Sequence, residues 1–186
     1  MTKEQYKYFP QTKEELKSLI EQRIKDEGNE VDLNDIDVSA ITDMSYLFLN
    51  LDFNGDITSW NVSNVTDMSF MFDGCKSFNQ DLSKWDVSKV TDMECMFAYC
   101  KYFNQNISSW DVSNVIDMDS MFDWCEYFNQ DLSKWNVSNV TGMAFMFSNC
   151  ISFNQDLSKW NVSKVGYNTL MFYNCPIKEE YKPKFK

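Results

Sequence analysis

The sequence contains no histidine. That removes the commonest general base, the usual nucleophile–histidine arrangements and the common zinc ligand sets together. Glycine and proline are sparse, with 5 and 3 copies in 186 residues, so there is no glycine-rich phosphate loop and nothing collagen-like. Basic residues are outnumbered: 17 Lys and Arg against 28 Asp and Glu leave a formal net charge of −11. This is the wrong field for nucleic acid or an anionic membrane surface. No apolar run reaches the roughly 18–20 residues of a membrane span, and Met1 to Pro10 lacks the apolar segment of a secretory signal. We expect no enzyme activity, no cofactor, no metal, no nucleic-acid partner and no membrane insertion.

What is present is a core and a repeat. The chain is 44 % hydrophobic and 16 % aromatic, enough to bury a sizeable interior. Phe53, Phe78, Phe103, Phe128 and Phe153 recur every 25 residues, as do Trp60, Trp85, Trp110, Trp135 and Trp160. Val, Met and Phe columns keep the same phase, which marks a stack of repeating units. Val65, Met68, Met71, Phe72 and Cys75 have the 3-and-4 spacing of one helical face, with Thr66 or Asp67 as its cap. The stretch Asp81 to Ser88 suits a short strand. The expected fold is therefore α/β: a curved leucine-rich-repeat-like solenoid of strand-turn-helix units. An all-β solenoid is the alternative if the Met-Phe segment is too short to be helical.

The ends differ from the middle, as capping units do. Thr12-Lys13-Glu14-Glu15 reads as a capping box opening a helix, and Gly28 as its stop. The chain divides into an N-terminal capping helix region, 1–31, a repeat region, 32–175, and a frayed tail, 176–186. The repeat region holds one degenerate unit and then about five full ones.

Five of the 6 cysteines, Cys75, Cys100, Cys125, Cys150 and Cys175, lie in phase with core Met and Phe. This predicts buried, reduced thiols rather than disulfides, and with them a cytoplasmic protein. The Asn-Gln pairs predict a side-chain ladder that satisfies turn backbone groups. The Asp columns are read as caps, with calcium held between coils as the alternative.

A partner-binding surface is expected where the units share a scaffold but not a side chain. The middle units place Tyr99, Tyr102, Trp124 and Tyr127 at adjoining slots, rimmed by Asp73, Asp123 and Glu126. Clustered large aromatics are what interaction hot spots use, and the acidic rim suits a basic protein partner. The chain is expected to be a monomer. The strand-side surface carrying Lys84, Lys134 and Lys159 is the second candidate.

The unit Phe-Asn-Gln-Asp-Leu-Ser-x-Trp-Asp/Asn-Val-Ser-x-Val-Thr-Asp-Met-x-x-Met-Phe-x-x-Cys closely resembles the repeat of BspA-like bacterial surface proteins, which is also abundant in mycoplasma lipoproteins. The resemblance covers about Asp32 to Cys175. It implies a leucine-rich-repeat-like solenoid and, for surface members, adhesion to host or neighbouring-cell proteins. A cell-surface adhesin is thus the alternative to a cytoplasmic interaction protein, and a calcium-stabilised structural module is a further one.

Overall fold

The computed structural model describes residues 6–185. Met1 to Gln5 of the N-terminal region and Lys186 of the tail lie outside the described residues. Helix α1 (Lys13–Glu27) opens where the Thr12 hydroxyl accepts from the Glu15 N–H at 3.2 Å. The Glu15 carboxylate accepts in turn from the Gln11 N–H at 2.7 Å, and together they satisfy donors that a helix start leaves free. Gly28, at φ 92, ends the helix, and its N–H returns to the Ile24 carbonyl. Leu16 and Ile20 on the inner face are fully buried, and α1 covers the first coil.

After α1 the chain winds into coils stacked one on the next, but not as strand-helix units. Among the described residues α1 is the only α-helix, and no strand forms. Sheet-like pairing is confined to single-residue parallel bridges, with Asp43–Asp67, Asp67–Asp92, Asp92–Asp117, Asp117–Gly142 and Gly142–Tyr167 forming one file. The α/β, leucine-rich-repeat-like expectation is therefore overturned, and so is the all-β alternative.

The physical reason lies in the Met-Phe segment. Phe70, Cys95, Ser120, Phe145 and Leu170 all have positive φ, and so do Gly74, Tyr99, Trp124, Asn149 and Asn174 four residues later. Two left-handed residues per unit are incompatible with a right-handed helix. Alternate N–H groups instead point to different partners. Those of Met68, Phe70, Phe72 and Gly74 donate to Asp92, Glu94, Met96 and Ala98 on the next coil, at 2.8–3.0 Å. Those of Met71, Asp73 and Cys75 between them close turns onto the carbonyl three residues back.

Apolar residues three apart therefore mark turns here. Leu82–Trp85, Val87–Val90, Met93–Met96, Phe97–Cys100 and Cys100–Phe103 each close such a bond, and all of these side chains are buried. The predicted Asp81-to-Ser88 strand is two of these turns. The predicted caps are Asx turns: Asp81 and Asp67 accept from the backbone N–H of Ser83 and Ser69, and Asp86 does the same for Ser88.

Each column binds the coils in its own way. Phe72, Phe97, Phe122 and Phe147 stack with successive ring centroids 5.6–5.9 Å apart. The Trp110 indole N–H donates to the Leu82 carbonyl of the preceding coil at 3.0 Å, and the other tryptophans do likewise. The thiols of Cys75, Cys100, Cys125 and Cys150 donate to phenylalanine carbonyls at 2.9–3.1 Å. Asn79, Asn104 and Asn129 each accept from the backbone N–H of the asparagine 25 residues on, so the asparagine ladder exists. No buried side-chain nitrogen or oxygen among the described residues lacks a partner.

The tail is packed, not frayed. Ile177 and Pro183 are buried, Tyr181 accepts from the Leu157 N–H, and Lys178 donates its backbone N–H to Asn154. Residues 177–185 thus bond to the first half of the last coil, while Lys182 reaches to 5.9 Å from the Phe172 ring in its second half.

The indole ladder yields a graded test. Trp110→Phe leaves the Leu82 carbonyl without this donor and should lower unfolding stability by about 1–3 kcal/mol. Trp85→Phe should lower it less, because its bond to Ile57 is longer, at 3.4 Å. Equal losses in urea unfolding would show that ring volume alone decides the effect.

Candidate functional site

The turn segments fix what the Met-Phe face presents. The occupants of the two left-handed positions vary from unit to unit: Tyr99, Trp124, Phe145 and Leu170 are exposed, whereas Asn149 is buried and Gly74 has no side chain. In the middle coils the second position holds Tyr99 and Trp124. Their rings stack at 6.3 Å with an interplanar angle of 12°. Tyr102 and Tyr127 form a parallel pair at 5.3 Å. All four predicted aromatics are 43–51 % exposed, and the fold brings them together as two adjacent pairs.

Between the pairs, Lys101 reaches Glu126 at 3.1 Å and lies 5.7 Å from the Tyr102 ring. A shallow cavity of about 140 Å³ opens there, lined by Lys76, Tyr99, Lys101, Trp124 and Glu126. Glu126 is thus already paired. Asp73 and Asp123 are half-buried beside the same face. Burial pushes both carboxyls above the usual range, and repulsion by Asp123 raises Asp73 further.

The acidic character extends beyond the residues that sequence reasoning chose. Asp92, Glu94 and Asp119 are also raised, first by burial and then by neighbouring carboxylates, with Asp117 acting on all three. None of the ion pairs among the described residues includes Asp73, Asp92, Glu94, Asp119 or Asp123. Only the slot alternation Ser69, Glu94, Asp119, Ala144 signals this extension in the sequence. A third aromatic pair, Tyr46 on Phe70 at 4.8 Å, lies nearer the α1 end.

All six cysteines are free thiols, and burial pushes Cys75 and Cys95 up to about 12, far from a reactive thiolate. No group of three or more metal-ligating side chains converges among the described residues. An open trough of about 740 Å³ is lined by Thr66, Lys89, Thr91, Asn114, Ile116, Asn139, Thr141 and Lys164. Its polar groups bond within the stack: Lys89 to Asn64, Lys164 to Asn139, and the Thr91 hydroxyl to the Thr66 carbonyl. No helix among the described residues is long and apolar enough to cross a membrane.

The two classes of carboxylate predict a stability maximum in mild acid. Asp73, Asp92, Glu94, Asp119 and Asp123 have folded pKa values above their unfolded ones, so the stability they contribute is lost as pH rises through the folded values. Hydrogen bonds from the following serines hold Asp81, Asp86, Asp131 and Asp156 low, so theirs is lost as pH falls below the usual ~3.9. Melting temperature should rise as pH falls from neutrality toward the ~4 of free carboxyls and fall again at lower pH. With no histidine to titrate, Glu94→Gln with Asp119→Asn should flatten the first limb and spare the second.

Comparison with known proteins fits this repeat geometry. No curated protein and no solved structure matches the chain. The profile of the family described as "Mycoplasma protein of unknown function, DUF285" fits residues 15–126 and 103–179. Those matches span α1 and the repeat coils, and the chain belongs to the DUF285 family.

Proposed function

We propose that the chain is a non-catalytic protein-binding scaffold that acts as a monomer. Its partner site is the face carrying Tyr99, Tyr102, Trp124 and Tyr127, with Asp73 and Asp123 favouring a basic protein partner. The supporting observation is conformational. Tyr99 and Trp124 sit at φ 59 and 60, where neighbouring coils use Gly74 and Asn149. A bulky residue there costs about 1 kcal/mol or more that Gly or Asn largely avoids. Stacking of the pair recovers a comparable amount, so folding gains little from aromatics at these slots. Binding supplies the missing reason, since exposed aromatic clusters anchor interfaces.

The likeness of the repeat to BspA-like surface proteins supports a binding role, and it favours the cell surface. The buried thiols favour the cytoplasm. A captured partner's origin distinguishes the two locations.

Tyr99→Asn combined with Trp124→Asn is the test. The double variant should melt within a few degrees of the parent, because relieved strain offsets lost stacking. It should lose capture of the partner that the parent retains from lysate or extracellular matrix, identified by mass spectrometry. Equal capture by both forms would overturn the assignment of this face.

A further inference from the structure

The two ends of the stack are finished differently. At the first coil Met44, Leu47 and Phe48 are fully buried under α1. Lys13 pairs with Asp43 at 3.1 Å, and Lys17 reaches the Tyr46 carbonyl. At the last coil the tail hydrogen-bonds only to the first half; beside the second half Lys182 lies 5.9 Å from the Phe172 ring, and Glu179, Pro183 and Phe185 border the same cavity. The second half leaves Leu170 51 % and Tyr173 58 % exposed, and Phe172 is only partly buried, whereas Phe147 in the coil before is fully buried.

The backbone shows the same gap. In the preceding coil the N–H groups of Met143, Phe145, Phe147 and Asn149 donate to residues 167, 169, 171 and 173 at 2.7–2.9 Å. The equivalent N–H groups of Asn168, Leu170, Phe172 and Asn174 meet no acceptor among the described residues. The carbonyls alternating with them are used by the coil before. This edge therefore offers donors only.

That polarity selects the occupant. Two copies meeting edge to edge would set donors against donors, so self-pairing through this edge is excluded. The complementary carbonyl row of this chain, at residues 43, 45, 47 and 49, lies on the coil that α1 covers. At every internal coil, the surface equivalent to this edge is covered by one kind of segment: the turn-forming run of the next unit, Met-x-x-Met-Phe in most units and Asn168 to Phe172 in the last.

We propose that this donor edge takes, from another protein chain, a segment of this same Thr-Asp-Met-x-x-Met-Phe-x-x-Cys type. Its alternate carbonyls would accept from residues 168, 170, 172 and 174, and its phenylalanine would stack on Phe172 in place of the end of Lys182, which now lies 5.9 Å from that ring. This is edge augmentation, with a chain of tight turns in place of a strand. It is independent of the aromatic face.

The probe is a synthetic peptide of residues 66–76, added to the isotope-labelled full chain, with amide hydrogen exchange read by NMR. Exchange at Asn168, Leu170, Phe172 and Asn174 should slow at least tenfold, while amides of α1 stay unchanged. Phe172→Ala should raise the peptide Kd about tenfold, the factor that corresponds to loss of one stacked ring. The Tyr99→Asn/Trp124→Asn variant should bind the peptide as the parent does. Unchanged exchange at millimolar peptide, equal protection by a scrambled peptide, or full protection of these amides in the free chain would each overturn the proposal.

Discussion

The structure depends on one alternation. Along the Met-Phe segment, one N–H closes a turn within its own coil and the next reaches the neighbouring coil. A strand would send its ladder bonds to neighbouring strands, and a helix would keep them within itself. This backbone does half of each, so every coil is both locally folded and dependent on the next. The burial pattern follows, because a turn that returns after three residues places an apolar side chain inward at each closure. The left-handed residues follow as well, since the chain must reverse its local twist twice per unit to keep alternating.

Much of this is legible in the sequence, and the misreading has a specific cause. The period, the degenerate first unit, the buried thiol column and the asparagine ladder all rest on identities that recur in phase. The Met68, Met71, Phe72, Cys75 spacing, however, fits successive three-residue turns as well as a helix. Periodicity alone does not separate them. The distinguishing sign is the slot occupied by Gly74, Asn149 and Asn174, residue types that tolerate positive φ, but Tyr99 and Trp124 in the same column mask it. The Asp81-to-Ser88 stretch misleads similarly, since Asp-x-Ser is a turn signal repeated too densely for a strand to form.

The aromatic face is legible because it departs from the repeat, and the structure adds the pairing of rings that alignment of units cannot show. The role of Glu126 is different: its slot is visible, but its engagement by Lys101 from the preceding coil depends on side-chain geometry. The half-buried acids lie between these cases. Asp92 stands in a column whose members serve as turn formers, and its raised carboxyl comes first from burial and then from Asp67 and Asp117 stacked on either side, both of which appear only once the coils are stacked.

The closure of every coil onto the same set of columns also bears on how such a chain varies over time. A unit contains a whole number of codons and presents the same upper and lower surface as its neighbours. Duplication or loss of one unit by slippage during replication would preserve reading frame, core and hydrogen-bond register together. Length is then a freely adjustable quantity, whereas the two ends are not, and the outward slots are free to diverge in each new copy. A stack built this way can change its reach and its recognition face without having to solve its folding problem again.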